Sequence, residues 1–532
     1  MNKILLFALV LALAWWLRQW VRLKRRPLGL FLRLKGRLEE YVPWPLSVAS
    51  GPDLRRIRTA LLRAASDSQV RLLFVDLDDL AIGWAKAQEL RKLLTDFSSS
   101  GKPVVAYLNN ADEKVYYVAS AANEIYASPT SFLEITGLSV ETAHLKGVFD
   151  KLGVEAQIET EGKYKGADEM FTRTSMSEEL RESMTALLEE IFQEFVRAGA
   201  ISRGKTEQAF RALVDRGPFS ASGAMEEGLI DGSLYKDEVT DAQEELLGGP
   251  LLWIPAEQFG RWKRCLQRLL PGRPKLAILY ADGVIHSGSG AFASESTGIS
   301  PDSFSRVVRS VMKDRRYKGM LVRINTPGGT VTASDALRYE LIRAKSRFPV
   351  VISMSDVSAS GGYYLCTAAD RVLAYPCTLT GSIGVVWGKF SVQGLLNRIG
   401  IGTDRLSLGK RAGMNSPFKP YTEEEQQVLS KHMKSVYDDF VDKVARGRGL
   451  SREAAERAAE GRAWTGLAAK ELGLVDELGG IEEALQCLAR LSGGTTPSDF
   501  KQVHISLKSF WSGLPFWARP ISSVFGSFRH FR

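Results

Sequence analysis

Cysteine and histidine are the scarcest residues of this 532-residue chain, which holds four of the first and five of the second. Cys265, Cys366, Cys377 and Cys487 include no CxxC pair, and Cys366 and Cys377 lie among apolar neighbours, as buried thiols do. His144, His286, His432, His504 and His530 are scattered, and none falls in an HExxH pattern. These gaps exclude a zinc finger or a zinc-protease helix. The thiol count neither requires nor excludes an oxidising compartment. No phosphate-binding loop and no RNA-binding signature occurs, so nucleic acid is not an expected partner. Nothing calls for a metal or an organic cofactor.

Long apolar runs are also scarce. The run at Ile4 to Leu17, ILLFALVLALAWWL, has fourteen residues, whereas a spanning helix needs ~20. Extension through Val21 helps only if Arg18 snorkels to the interface. Trp15, Trp16 and Trp20 suit a membrane boundary. The ALA at 12–14 resembles a cleavage site, but the region before it is short and two tryptophans follow. Residues 1–28 are therefore read as an uncleaved membrane anchor with a basic flank, a cleaved signal peptide being the rival. The net charge is +9, and Arg18, Arg22, Lys24, Arg25 and Arg26 follow the run. That flank would hold the bulk of the chain on the cytoplasmic side. Residues 496–532 end in a basic, aromatic tail, suited either to a lipid interface or to a solvated end.

What is present is a repeat. YYVASAANEIYASP from Tyr116 matches YYLCTAADRVLAYP from Tyr363, 247 residues later. The same shift carries FVDLDDLAI from Phe74 onto LVRINTPGG from Leu321, and GKYKGADEMF from Gly162 onto GKRAGMNSPF from Gly409. FSASGAMEEGLIDG from Phe219 meets WTGLAAKELGLVDE from Trp464 after a slip to 245. Buried strand-like runs such as LLFVDLDDL and PVVISM alternate with helical patterns such as SDALRYELIRAKSR, which implies a mostly parallel sheet covered by helices. The expectation is an α/β tandem duplication: one copy at 29–245, a linker at 246–272 and a second copy at 273–495.

The differences between the copies carry the chemistry. The second has Pro327, Gly328 and Gly329 where the first has Leu80, Ala81 and Ile82. The second has Ser360, Gly361 and Gly362 where the first has Glu113, Lys114 and Val115. Ser382 stands opposite Ile135, but Lys165 of the first copy stands opposite Ala412. One copy keeps a serine and its glycines, and the other keeps a lysine. Acyl transfer by a serine needs an adjacent base. With no fitting histidine, a lysine made neutral by burial is the next option. Ser382 could orient that amine, and the N–H groups of Gly329 and Gly361 are candidate donors to an oxyanion. A helix starting after Ser360 would add its dipole.

INTPGGTVTASD, SASGGYY, YPCTLTGSIGV and GKYKGADEMFTR, in a degenerate duplication, resemble the long form of signal peptide peptidase A, the protease IV group of serine peptidases. The resemblance covers roughly residues 30–490 and implies a ClpP/crotonase-like fold in each copy. It implies a Ser/Lys dyad with Ser360 as nucleophile, Lys165 as base, Ser382 holding the lysine, and Gly329 and Gly361 as the oxyanion hole. It further implies a homotetramer anchored in the bacterial inner membrane, its catalytic part periplasmic, degrading signal peptides after their cleavage. The basic flank after Trp16 points to the other side. Two rivals stand beside this reading: a crotonase-type acyl-CoA enzyme, which needs neither Ser360 nor Lys165, and an inactive membrane scaffold.

Overall fold

The computed structural model describes residues 27–43, 53–259, 273–287 and 298–507. Residues 1–26 of the anchor expected at 1–28 and residues 508–532 of the tail at 496–532 lie outside the described residues, while Leu28 already begins a strand. Among the described residues no helix is long and apolar enough to cross a membrane.

The chain divides into two compact units. The first comprises residues up to Gly137 together with Glu194–Pro271; the second comprises Leu138–Gln193 and the chain from Gly272 onward. The first unit is built on a six-stranded sheet in the order Leu252–Pro255, Leu28–Arg37, Val70–Ala81, Val104–Leu108, Glu124–Ala127, Gly232–Ser233. Every pairing in it is parallel. Runs such as Leu72 to Val75 are buried on both faces, as a helix-covered parallel sheet requires.

The second unit repeats the pattern. Lys275–Asp282, Tyr317–Thr326 and Arg371–Ala374 each begin 247 residues after Leu28, Val70 and Glu124. Its main path runs Ala463–Thr465, Leu379–Gly381, Val350–Ala359, Tyr317–Thr326, Lys275–Asp282, Lys501–Ser506. All these pairs are parallel except the first, which is antiparallel. Leu279, Val322, Ile352, Leu341 and Phe440 belong to one continuous core. The long helix Glu423–Arg448 starts on a capping box, with Thr422 and Glu425 exchanging bonds with each other's backbone, and stops at Gly449 in the left-handed conformation.

Three stretches depart from the sequence reading. Leu252–Pro255 falls in the expected linker but pairs with Leu28–Phe31. Lys501–Ser506 falls in the expected tail but pairs with Lys275–Tyr280. Both are edge strands, paired on one side only, and so lack the apolar density that marks the buried ones. Residues 138–193 come from the first copy in sequence yet pack in the second unit. What holds them there is a two-stranded antiparallel ladder, Glu155–Glu161 against Val385–Ser391, from Val385↔Glu161 to Ser391↔Glu155.

Candidate active site

Strand Val350–Ala359 runs into helix Gly361–Cys366 with Ser360 at the junction. Ser360 has φ 53° and ψ −119°, a region that costs a side-chain-bearing residue ~1–3 kcal/mol. Bonds on both sides hold it: its N–H donates to the Gly381 carbonyl at 2.8 Å, and its carbonyl accepts from the Tyr364 N–H at 2.9 Å. The Ser360 side chain does not cap the helix, which leaves the hydroxyl to other partners.

The loop after strand Tyr317–Thr326 lies against this turn. The Thr326 hydroxyl accepts the Gly328 N–H at 3.1 Å. A Cβ on Gly328 (φ 102°) would stand 2.7 Å from the Gly361 nitrogen, and one on Gly361 would stand 3.1 Å from the Gly329 nitrogen. A Cβ on Gly329 would strike the Ile285 carbonyl oxygen at 1.8 Å. Only residues without side chains let the two backbones meet beside Ser360.

Lys165 arrives on the turn that follows strand Glu155–Glu161, and its N–H donates to the Gly162 carbonyl at 3.0 Å. The side chain is 7% exposed. Its Nζ lies 2.8 Å from the Ser382 carbonyl oxygen, 2.9 Å from the Ser382 Oγ and 3.2 Å from the Ser360 Oγ. Burial pushes the amine down from 10.5 to about 8, because removing water penalises the charged form. Ser382 itself is bent into a positive φ of 49°. The five residues singled out in the sequence thus fall into two contiguous groups: Lys165, Ser360 and Ser382 in direct contact, and Gly329 against Gly361.

Sequence reasoning missed the turn Glu460–Arg462. Its Arg462 carbonyl accepts the Ser382 N–H at 2.7 Å, and its Glu460 carbonyl accepts the Tyr164 N–H at 2.7 Å. The signal was present as EGRAWTG, which contains the start of the repeat block at Trp464, but nothing in the pattern links it to the lysine. Among the described residues, no cluster of His, Cys, Asp and Glu could hold a metal ion.

Such an arrangement of serine, buried amine and facing glycines can carry acyl transfer, and comparison with known proteins leads to the same class. The model of peptidase family S49 matches twice, at residues 96–248 and 342–494. The chloroplastic serine protease SPPA of Arabidopsis thaliana is 33% identical over 88% of this chain and 69% of its own length. Protease 4 of Salmonella typhi is 31% identical over 82% of this chain and 71% of its own length. Among solved structures, ClpP1 from Listeria monocytogenes aligns with 39% of this chain and 93% of its own, at 14% identity and a TM-score of 0.26. The chain belongs to peptidase family S49, a serine endopeptidase made of two copies of one α/β domain.

Proposed function

We propose that Ser360 is the nucleophile and Lys165 the general base of a Ser/Lys dyad. In this reading Ser382 orients the amine, and the N–H groups of Gly329 and Gly361 receive the oxyanion. One observation carries it: a lysine buried with its nitrogen 3.2 Å from the Ser360 oxygen. When Lys165 is neutral, its two N–H bonds point at the Ser382 carbonyl and hydroxyl, and its lone pair is left for the Ser360 proton. Nζ takes that proton as the Oγ–carbon bond forms at the peptide carbonyl. The resulting ammonium protonates the departing amine as the carbon–nitrogen bond breaks, leaving an acyl-enzyme. Water then gives a proton to Nζ, its oxygen attacks the ester carbon, and Ser360 leaves with its hydroxyl restored.

The substrates proposed are apolar peptides, signal peptides remaining in a membrane foremost. The strand that leaves the Ser382 turn exposes Val386, Trp387 and Phe390, which supports an apolar substrate. Anchoring through residues 1–28 and assembly into a homotetramer complete the proposal. Carbonate extraction of membranes and the mass of the detergent-solubilised particle test those two parts.

The dyad is tested with a fluorogenic apolar peptide. Ser360→Ala and Lys165→Ala each lower kcat at least ~10³-fold, and the double change adds little, since the pair acts as a unit. Activity rises as pH passes about 8, because the base works only once it has lost its proton. A Lys165→Ala variant retaining turnover, or a wild-type rate flat from pH 6 to 10, would refute the dyad.

A further inference from the structure

Three of the four residues between helix Arg452–Ala458 and strand Ala463–Thr465, Glu460 to Arg462, touch the lysine loop and the Ser382 loop that flank Ser360. Glu460 and Gly461 stand in succession at positive φ, 51° and 73°. Along one edge of this turn, the Glu460 carbonyl accepts the Tyr164 N–H at 2.7 Å and the Glu460 carboxylate accepts the Lys163 N–H at 3.2 Å. Along the other, the Gly461 N–H donates to the Ile383 carbonyl at 2.8 Å and the Arg462 carbonyl accepts from Ser382 at 2.7 Å. The same turn therefore grips the lysine loop and the serine loop that receives the lysine.

Space at the turn is used to the limit. A Cβ on Gly461 would stand 2.5 Å from the Lys165 Cβ and 2.6 Å from its backbone nitrogen. A Cβ on Gly384, across the slot, would stand 3.1 Å from the Lys165 Cδ and 3.0 Å from the Gly461 Cα. Arg462 closes the outside: its guanidinium pairs with Glu182 at 2.7 Å and covers the Tyr164 ring at 4.9 Å, while the Tyr164 hydroxyl donates to Glu182 at 3.1 Å.

We infer that Gly461 is a positioning residue for the reaction: the turn Glu460–Arg462 sets how deeply Lys165 enters beside Ser382 and Ser360, and only glycine allows that depth. This inference rests on the Ser/Lys reading. A methyl group at 461 pushes the lysine backbone outward, so the amine leaves the Ser360 hydroxyl and meets water. The charged groups on the surrounding elements are Glu161 and Lys163 before the lysine, Asp168 and Glu169 after it, Glu182 on helix Glu178–Ser202, and Glu460 and Arg462 on the turn itself. Glu460 is engaged with the Lys163 N–H, Glu169 with Ser177, and Arg462 with Glu182. Water entry is therefore what would move the titration of Lys165 in the variant.

The test uses the full chain in detergent. The kcat and KM for a fluorogenic apolar peptide, and the rate at which a fluorophosphonate labels Ser360, are followed from pH 6 to 10. Gly461→Ala is compared with Gly473→Ala, whose glycine is equally left-handed (φ 75°) but whose added Cβ meets only the Leu450 side chain, at 3.0 Å. Gly461→Ala is expected to lower kcat about 10²-fold with KM little changed, and to move the midpoint of both profiles upward by about one pH unit. Gly473→Ala is expected to leave midpoint and kcat in place. A Gly461→Ala midpoint that stays at the wild-type value, or a kcat loss no larger than that of Gly473→Ala, overturns the inference. If Gly461→Ala does not fold, Arg462→Met carries the test: it releases Tyr164 and Glu182 without adding bulk. An upward midpoint with a lower kcat supports the inference, and an unmoved midpoint overturns it. A wild-type profile with no rise near pH 8 would instead refute the dyad itself.

Discussion

The corresponding turns of the two units, Ala111–Ala119 and Ser358–Cys366, both lead from a strand into a helix and have opposite fates. In the first, Asp112 is extended (φ −86°, ψ −177°) and its carboxylate caps helix Glu113–Ala119 by accepting the Val115 N–H at 2.8 Å. Glu113, at the position of Ser360, accepts the N–H groups of Thr136 and Gly137 at 2.8 and 2.9 Å. Lys114, at the position of Gly361, donates to the carbonyl of Ile82, which stands where the second unit has Gly329. Asp112, Glu113 and Lys114 are thus each engaged within their own unit. In the second unit the cap is missing, the serine sits at φ 53° and glycines keep the neighbouring backbone bare. A relaxed turn is a closed one, and the strain at Ser360 keeps its hydroxyl available to a partner.

The contrast can be broken by writing one unit's residues into the other. The largest effect is expected from Gly361→Lys, which places the residue of position 114 beside Ser360. Its Cβ would come within 2.4 Å of the Ser334 Oγ, and the loss of an aligned donor lowers kcat/KM at least ~10³-fold; steady-state kinetics decide. Ser382→Ala comes next. It removes one of the three contacts of the Lys165 amine and lowers kcat about 10–10²-fold with KM little changed. Stability effects are smaller. Ser360→Gly, inactive, resists urea better than Ser360→Ala by ~1 kcal/mol, because glycine accepts the positive φ without strain. Asp112→Ala loses a helix cap and about 1 kcal/mol, yet leaves peptidase turnover unchanged. A drop in turnover for Asp112→Ala would mean that the first unit's turn takes part in catalysis.

Much of this was legible in the residues. The repeat of 247 positions reappears as strands beginning at Leu28 and Lys275 and at Val70 and Tyr317, because buried parallel strands write dense apolar runs. Complementary losses marked Ser360, Ser382 and Lys165, which lie within 3.2 Å of a common nitrogen. The allegiance of residues 138–193 was not legible. An amphipathic pattern says which face is buried but not against which core, and the ladder of Glu155–Glu161 with Val385–Ser391 links segments that share no motif. Gly461 was hidden for a related reason. A glycine at positive φ reads as a turn in any sequence, and only the approach of the Lys165 Cβ distinguishes this one.

That ladder has a consequence for when the enzyme can exist. Its two strands are made far apart in time, since more than two hundred residues must be translated between Glu161 and Val385. If Lys165 and Ser360 act as proposed, a nascent chain that has completed only its first half holds the amine with no alcohol to act on, and a fragment holding only the later half has the alcohol without its amine. On the Ser/Lys reading, hydrolytic competence therefore waits until the ribosome is well into the second half of the polypeptide.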